Sequence, residues 1–236
     1  MTSRDGTSSV LRKLKYSLMR DTTGLAEQLT SGQFESLHYL NVRKSKLSDV
    51  HLLPSLYTGS GGLETLILDG QKIANTDVLQ KLMENSARGS LTALSLGACS
   101  LSAADIAPLC QAVRKALKLH MLKLSSNRLE DKGVVDLVEA LLSNKTHPLA
   151  VLDVSDNTMT DEGAVTLAKL FNTKSHTSKL HSLNVSSNDL GKAGLVSLVA
   201  VIGGKSALRT LYLHNQKRGV DEGHMDEVFK TLAKSL

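Results

Sequence analysis

Several side chains in this sequence have the types that enzymes use, but their spacing does not assemble a reaction centre. The Gly-Lys-Ser segment at 204–206 resembles the end of a phosphate-binding loop, yet that loop requires a glycine where Val199 stands. Asp153 is a lone carboxylate whose expected neighbour is Lys123, and no histidine is expected beside it to complete a general acid–base pair. We therefore predict no catalytic residue and no enzymatic activity.

Histidine and cysteine, which often bind zinc, also lack the spacing of a metal site. His38, His120 and His181 occupy the same position in three different units of the repeat described below, several layers apart. Cys99 and Cys110 show no metal-binding spacing and do not form a disulfide framework. The sequence predicts neither a metal site nor a bound cofactor, and both thiols are expected to pack in the interior.

One pattern recurs along most of the chain: Leu-x-x-Leu-x-Leu/Val-x-x-Asn-x-Leu, in which x is any residue. Close copies span 119–129, 149–159 and 180–190, the second with Met in the last place. Successive copies start 26, 28, 28, 30, 31 and 28 residues apart. Seven copies in phase indicate stacked units, because a unit of this length cannot bury its own apolar face. The looser copies begin at Leu37, Leu63, Leu91 and Leu208.

Each unit is expected to fold as a short strand, a turn and a helix. Alternate residues of the Leu-x-x-Leu-x-Leu strand point inward, and the ninth side chain can bond to backbone groups that the turn leaves unpaired. Apolar residues then recur with helical spacing. Thr160 followed by Asp161 and Glu162 is typical of a helix start, with a hydroxyl cap and an acidic first turn. The ninth positions are Ser45, Gln71, Cys99, Asn127, Asn157, Asn188 and Gln216.

Stacking such units produces a curve, because strands lie about 4.8 Å apart whereas helices are about 10 Å wide. At this point the sequence resembles the ribonuclease-inhibitor-like leucine-rich-repeat family, which includes the Ran GTPase-activating protein, tropomodulin and the CARMIL actin regulators. The predicted fold class is α/β, a right-handed leucine-rich-repeat solenoid with parallel strands on its concave face and helices on its convex face. The shared framework is specific for the fold and unspecific for function.

Three segments are predicted along the chain. Residues 1–9 are polar and are expected to form a disordered tail. Residues 10–36 are expected to form an N-terminal helical cap, because a solenoid must cover its open end. Residues 37–236 hold the seven repeats, and the last helix acts as the C-terminal cap. The array ends on the apolar residue Leu236, which is consistent with a fragment of a longer protein.

Function in such an array is expected on the third, fifth and seventh positions of the pattern, which face the concave side. These positions carry apolar residues in mid-arc and aromatic residues near both ends, a mixture typical of protein-docking surfaces. We therefore predict a scaffold that binds another protein. The predicted protein-binding residues are Tyr39, Asn41, Arg43, Ile67, Asp69, Met121, Lys123, Val151, Asp153, Asn184, Tyr212 and His214.

Composition bounds the setting of the protein. The net charge is +5, and residues 1–62 carry eight Lys and Arg against five Asp and Glu, a bias too weak and local to favour nucleic acid as a partner. No apolar run approaches the ~20 residues that span a bilayer, and the polar N-terminus does not resemble a secretion signal. We expect a cytoplasmic location, and the resemblance favours the cytoskeleton or a flagellum.

Two further hypotheses stay open from the sequence. The resemblance to the Ran GTPase-activating protein suggests a regulator of a small GTPase, although that family is acidic around its functional surface and this chain is basic. The other hypothesis is weak binding of an anionic ligand by the basic N-terminal region, which would be sensitive to salt. The cations of that region are Arg12, Lys13, Lys15, Arg43, Lys44 and Lys46.

Overall fold

The described part of the chain, taken from a computed structural model, is a row of strand and helix units. It comprises residues 12–15, 37–44, 62–73, 90–115, 118–144, 147–172, 179–202, 206–217 and 222–235. The strands are β1 (Lys13–Lys15), β2 (Tyr39–Asn41), β3 (Thr65–Ile67), β4 (Ala93–Ser95), β5 (Met121–Lys123), β6 (Val151–Asp153), β7 (Ser182–Asn184) and β8 (Thr210–Tyr212). The helices are α1 (Ala103–Val113), α2 (Glu130–Ser143), α3 (Asp161–Asn172), α4 (Lys192–Val199) and α5 (Glu222–Ser235).

The eight strands form one open parallel sheet in which the spatial order is the chain order. Neighbouring strands pair in register, so that Leu40 lies between Leu14 and Leu66. The helices pack against one another in the same sequence, from α1 to α5. The predicted α/β solenoid is therefore confirmed, with strands along its concave face and helices along its convex face. No helix in the described segments is long and apolar enough to cross a membrane.

The core runs through the middle residue of each strand. In β2 to β7 this residue is a leucine with none of its surface exposed, because the adjacent strands cover it on both sides. Burying a leucine contributes about 1.5–3 kcal/mol relative to leaving it in water, so this row supplies much of the driving force for stacking. The six residues are Leu40, Leu66, Leu94, Leu122, Leu152 and Leu183.

A left-handed residue follows each strand from β2 to β8, three positions beyond its end, with φ between 52° and 76°. This conformation is costly for residues other than glycine. After β2 to β7, the residue's N–H bonds to the next repeat, as where Lys44 N donates to Asp69 O at 2.7 Å and Ala98 N donates to Ser125 O at 2.8 Å. The parallel ladder thus extends past the strands. The left-handed residues are Lys44, Gly70, Ala98, Ser126, Asp156, Ser187 and Asn215.

The ninth-position side chains form the hydrogen-bonded ladder that the pattern predicts. Asn188 is fully buried, and its Nδ2 donates to the carbonyls of Val154 and Val185 at 3.1 and 3.0 Å. Its Oδ1 accepts from the backbone N–H groups of Asn157 and Met159 at 2.9 and 3.0 Å. One amide therefore satisfies backbone groups of two repeats, which explains why a short side chain with both a donor and an acceptor recurs there.

The glutamines at ninth positions take the same role as the asparagines. Gln216 Nε2 donates to Val185 O at 3.1 Å, and its Oε1 accepts from Leu190 N at 3.2 Å. Gln71 Nε2 donates to Val42 O at 2.5 Å. The longer glutamine side chain therefore reaches backbone groups equivalent to those that the asparagines satisfy.

Helices α3 and α4 begin on carboxylates that come from the preceding repeat, which corrects the expectation of a Thr160 hydroxyl cap, whereas α1 begins on a capping box within its own repeat, formed by Ser102 and Asp105. Asp131 Oδ1 accepts from the N–H groups of Thr160 and Gly163 at 2.8 and 2.9 Å, while the Thr160 hydroxyl donates to Asp131 Oδ2 at 2.6 Å. Asp161 does the same for Gly191 and Gly194 in the next repeat, at 2.8 Å each. The carboxylate satisfies N–H groups that a helix start leaves unpaired.

The predicted N-terminal helical cap is wrong at Lys13–Lys15, which form strand β1 and pair with β2. Leu14 packs against the core there, so the residues act as a further layer of the stack. Residues 10–11 and 16–36 of the predicted cap lie outside the described residues. The predicted tail at 1–9 also lies outside them. Strands β2 to β8 begin two residues after the predicted repeat starts at 37, 63, 91, 119, 149, 180 and 208.

Candidate functional site

The outward residues of the strands form three rows along the concave face. Each row contains the same position of successive repeats, because the strands pair in register. Most of the predicted binding residues are half-buried in these rows, whereas Arg43, Tyr212 and His214 are exposed. The structure therefore places the predicted residues on one surface, stretched along the sheet rather than gathered at one point.

The middle of the concave face carries adjoining apolar side chains. Met121 of β5 pairs in register with Val151 of β6 and with Ala93 of β4, so the three lie in one row about 4.8 Å apart. Ile67 lies in the neighbouring row on β3. All four are half-buried. We call Ile67, Ala93, Met121 and Val151 the apolar strip.

Lys123 and Asp153 lie opposite each other but do not form the ion pair that the sequence suggests. They are register partners on β5 and β6. Asp153 Oδ1 instead accepts from the backbone N–H and the hydroxyl of Ser155 at 3.0 and 2.6 Å. None of the salt bridges between described residues includes either side chain. Ser155 lies two residues away on the same turn, so its bonds to Asp153 require less loss of side-chain entropy than an ion pair with the long Lys123 side chain.

The polar residues at the fifth position share this arrangement. Asn184 Oδ1 accepts from the N–H and hydroxyl of Ser186 at 3.1 and 2.7 Å, and Asn41 Oδ1 accepts from Arg43 N at 3.1 Å. These bonds hold each side chain in one orientation. The surface that a partner would meet is therefore ordered before binding.

Asp69 lies on the concave face, and its side chain also connects neighbouring repeats by hydrogen bonds. Its Oδ1 accepts from the Ser95 hydroxyl at 2.6 Å and from Gly97 N at 2.8 Å, joining two repeats. A Cβ on Gly97 would lie 3.0 Å from Ser125 Oγ and 3.2 Å from the same Asp69 oxygen, so a side chain there would crowd this bond. Asp69 is therefore a predicted binding residue whose carboxylate also stabilises the stacking of two repeats.

Aromatic rings stand near both ends of the concave face, as the sequence predicts. At the first end, Lys13 Nζ lies 4.6 Å from the centre of the Tyr39 ring, a cation–π contact. At the last end, the rings of Tyr212 and His214 pack edge to face with centroids 6.3 Å apart. Tyr212 is 46 % exposed, so its ring is accessible to a partner that lies on the concave face.

The basic residues of β1 are surface residues that the sequence analysis placed on a helix. Lys13 and Lys15 flank the inward Leu14 and are exposed, so they extend two of the concave rows by one strand. The signal for this was present in the sequence: Leu11 and Leu14 match the first two leucines of the repeat pattern, and Leu11 precedes Leu37 by 26 residues. The polar residues around Leu11 and Leu14 made this match to the repeat pattern difficult to recognise.

The two cysteines are packing groups. Cys99 is buried and its thiol donates to Leu68 O at 3.3 Å, while burial raises its pKa to about 11. Burial also raises the pKa of the Cys110 thiol to about 12. Both thiols are protonated at neutral pH, which is the opposite of what a nucleophile or a metal ligand needs. Among the described residues, no three His, Cys, Asp or Glu side chains form a group that could hold a metal ion.

Comparison with known proteins agrees with this architecture. The sequence profile of the family described as Leucine Rich repeat matches residues 116–138, 147–168 and 176–199. A Tonsoku-like protein of Danio rerio is 32 % identical over 126 residues, 52 % of this chain and 9 % of that protein. The ribonuclease inhibitor of Mus musculus is 34 % identical over 109 residues, 46 % of this chain and 23 % of that protein.

Among solved structures, an internalin from Listeria monocytogenes matches with a TM-score of 0.55 and 23 % identity, over 86 % of this chain and 47 % of the internalin. That likeness concerns the fold. The chain spans less than a quarter of the two relatives described above. The repeats, their hydrogen-bonded ladders and these matches together show that the described part of the chain has the leucine-rich-repeat fold, and the matched segment is similar in sequence to ribonuclease inhibitor.

Proposed function

We propose that the concave face docks a protein partner, with the apolar strip as its centre. The observation that carries this proposal is the half-exposed row of Ala93, Met121 and Val151, which neighbouring strands cannot cover because they lie on the outward side. Water-exposed apolar side chains in a row lose that exposure when a complementary surface covers them. Polar groups around such a centre are typical of protein interfaces.

The polar residues beside the apolar strip support docking through their rigidity. Asp153 and Asn184 are held by Ser155 and Ser186, as described above. A partner that bonds to them loses less conformational entropy than it would on a flexible surface. Mouse ribonuclease inhibitor, one of the relatives, is named for its action on another protein, and a protein partner is the use we propose for this chain.

The setting that we propose is the cytoplasm, and the resemblance noted from the sequence favours the cytoskeleton or a flagellum within it. This part of the proposal concerns the identity of the partner rather than the face that binds it. Capture of partners from a lysate by the intact chain, followed by their identification, addresses it directly.

Substitution of the docking face tests the proposal. Met121→Asp places a charge in the apolar strip, and Tyr212→Ala removes the accessible ring near it. The double variant should lose the proteins that the wild-type chain captures, because a desolvated carboxylate in an apolar contact is unfavourable. Circular dichroism should show the same helical signal and cooperative unfolding for both proteins.

The chain offers a matched control on its helical side. Val165 on α3 and Phe229 on α5 are exposed by 42 % and 58 %. The variant with Val165→Asp and Phe229→Ala makes the same chemical changes on the convex face and should keep the captured proteins. Capture lost by this control but kept by the concave variant would place the docking surface on the helices and refute the proposal.

A further inference from the structure

The first two strands bring together cations that are far apart in sequence. Arg12, Lys13 and Lys15 belong to β1 or precede it, and Arg43 and Lys44 follow β2. Lys13 is the register partner of Tyr39, and Lys15 is the register partner of Asn41, on a strand about 4.8 Å away. All five cations are exposed. We call Arg12, Lys13, Lys15, Arg43 and Lys44 the basic end.

The charges of the basic end are not neutralised within the described structure. Salt bridges between described residues use Lys132, Lys192 and Lys217, and none includes a cation of the basic end. The acidic residue on the outward rows of β3 is Asp69, whose Oδ1 already accepts from Ser95 and Gly97. An anionic partner would therefore reduce the electrostatic repulsion among these neighbouring cations.

The charge is confined to one end of the concave face. In the middle, Lys123 faces Asp153 across adjacent strands, so the outward rows there are balanced in charge. On β7 the outward residues are Ser182, Asn184 and, after the strand, Ser186. A partner that lies along the face would thus meet a positive region at the β1 edge and a neutral apolar region further along.

We propose that the basic end binds an acidic segment of the protein partner, held in an extended conformation. Lys13 and Lys15 point to the same side of β1, with Cα atoms about 6.6 Å apart. Alternate side chains of an extended peptide have this same spacing, so carboxylates at every second position match the two ammonium groups. Arg43 adds a planar, bidentate donor beyond them.

The geometry favours a peptide over a nucleic acid. Single-stranded nucleic acids are held by bases stacked on aromatic rings. Tyr39 is the aromatic residue in the described part of this region, and Lys13 Nζ lies over its ring. The same contact fixes the Lys13 ammonium beside the neighbouring cations, which favours a ligand that offers carboxylates rather than flat rings.

Binding of a labelled peptide to the intact chain tests this proposal. The probe is a short peptide that alternates glutamate and serine, measured by fluorescence anisotropy, with a glutamine version as the uncharged comparison. We expect the glutamate peptide alone to bind, more weakly as salt rises from about 50 to about 300 mM. The K13E/K15E variant should bind at least about tenfold more weakly, because exposed charge pairs each contribute modestly and here both are reversed.

Two further variants distinguish binding at the basic end from a general effect of the protein's net charge. K169E/K230E makes the same change in net charge at exposed positions of α3 and α5, and should bind the peptide as the wild type does. K13Q/K15Q removes the two charges without reversing them and guards against loss of folding. It should weaken binding by an intermediate factor while its circular dichroism stays unchanged.

Several outcomes would overturn the proposal: no binding by the wild type, equal binding by K13E/K15E, or equal loss in K169E/K230E. Displacement of the peptide by poly(U) RNA or phosphatidylserine vesicles at lower anion concentration than by unlabelled peptide would assign the region to another ligand. The proposal rests on the docking function of the concave face, but the two fail separately. M121D/Y212A should keep peptide binding even where it abolishes capture of the partner.

Discussion

The layers that contain β7 and β8 follow the same residue pattern, but they are not buried alike. Leu183 in β7 has none of its surface exposed, whereas the register partner Leu211 in β8 is only partly buried. Asn188 is fully buried at the ninth position, and Gln216 is partly buried at the same position one repeat later. Burial in this fold is therefore set by the presence of layers on both sides, not by the sequence of one repeat.

Truncation of the core leucines should show this difference most strongly. Leu183→Ala should lower the free energy of unfolding by about 3–4 kcal/mol, because it leaves a cavity between two covering strands. Leu211→Ala should cost about half as much, since its site is already open to water. Urea unfolding followed by circular dichroism measures both. Equal losses would mean that the layers at the edge and in the interior are packed alike.

The ninth-position ladder allows the β7 and β8 layers to be compared through buried polar side chains. Asn188→Ala should lower the free energy of unfolding by about 3 kcal/mol, because buried backbone groups of two repeats lose their partner at once. Gln216→Ala should cost about 1 kcal/mol, since the freed groups of the last layer reach water more easily. The same urea titrations apply. A larger loss for Gln216→Ala would reverse the proposed order of the layers.

The glycines near the helix starts should show the smallest difference between paired variants. A Cβ on Gly163 would lie 2.5 Å from Met159 Cγ and 2.7 Å from Asp131 Oδ1, so Gly163→Ala should destabilise by about 2 kcal/mol. Gly133 is the matched control, because its nearest contacts would be longer, at 3.1 Å to Leu129 Cβ and 3.2 Å to Ala103 Cα. Gly133→Ala should cost less than about 1 kcal/mol, since Ala also favours a helix. Thermal unfolding can rank the pair, and equal stability would remove the close approach as the reason for glycine.

Much of the fold was predictable from the sequence because the repeat signal is local. The leucines that define each strand lie within six residues of one another, and the ninth-position Asn157 and Asn188 follow at a fixed distance. Such short patterns repeat in phase, so the strand positions and the ninth-position ladder could be inferred without knowing any contact between repeats.

The remainder depends on residues about 30 positions apart, which a local pattern does not reveal. The Asp131 carboxylate caps the helix of the next repeat, so Thr160 looked like a cap and is instead a donor. The expected pairing of Lys123 with Asp153 was wrong for a different reason, because a local bond from Ser155, two residues away, holds the carboxylate. The residues of the concave surface could be predicted from the sequence one by one. The hydrogen-bond and ion-pair partners of their side chains could not.

Hydrogen exchange of the native protein tests the dependence of each layer on its neighbours most directly. Mass spectrometry can compare a peptide that covers Leu180–Val185 with one that covers Leu208–Leu213, under conditions in which exchange reports local opening. We expect slower exchange for the β7 peptide, because strands β6 and β8 cover it from both sides. Equal exchange in the two peptides, or slower exchange for the β8 peptide, would contradict it.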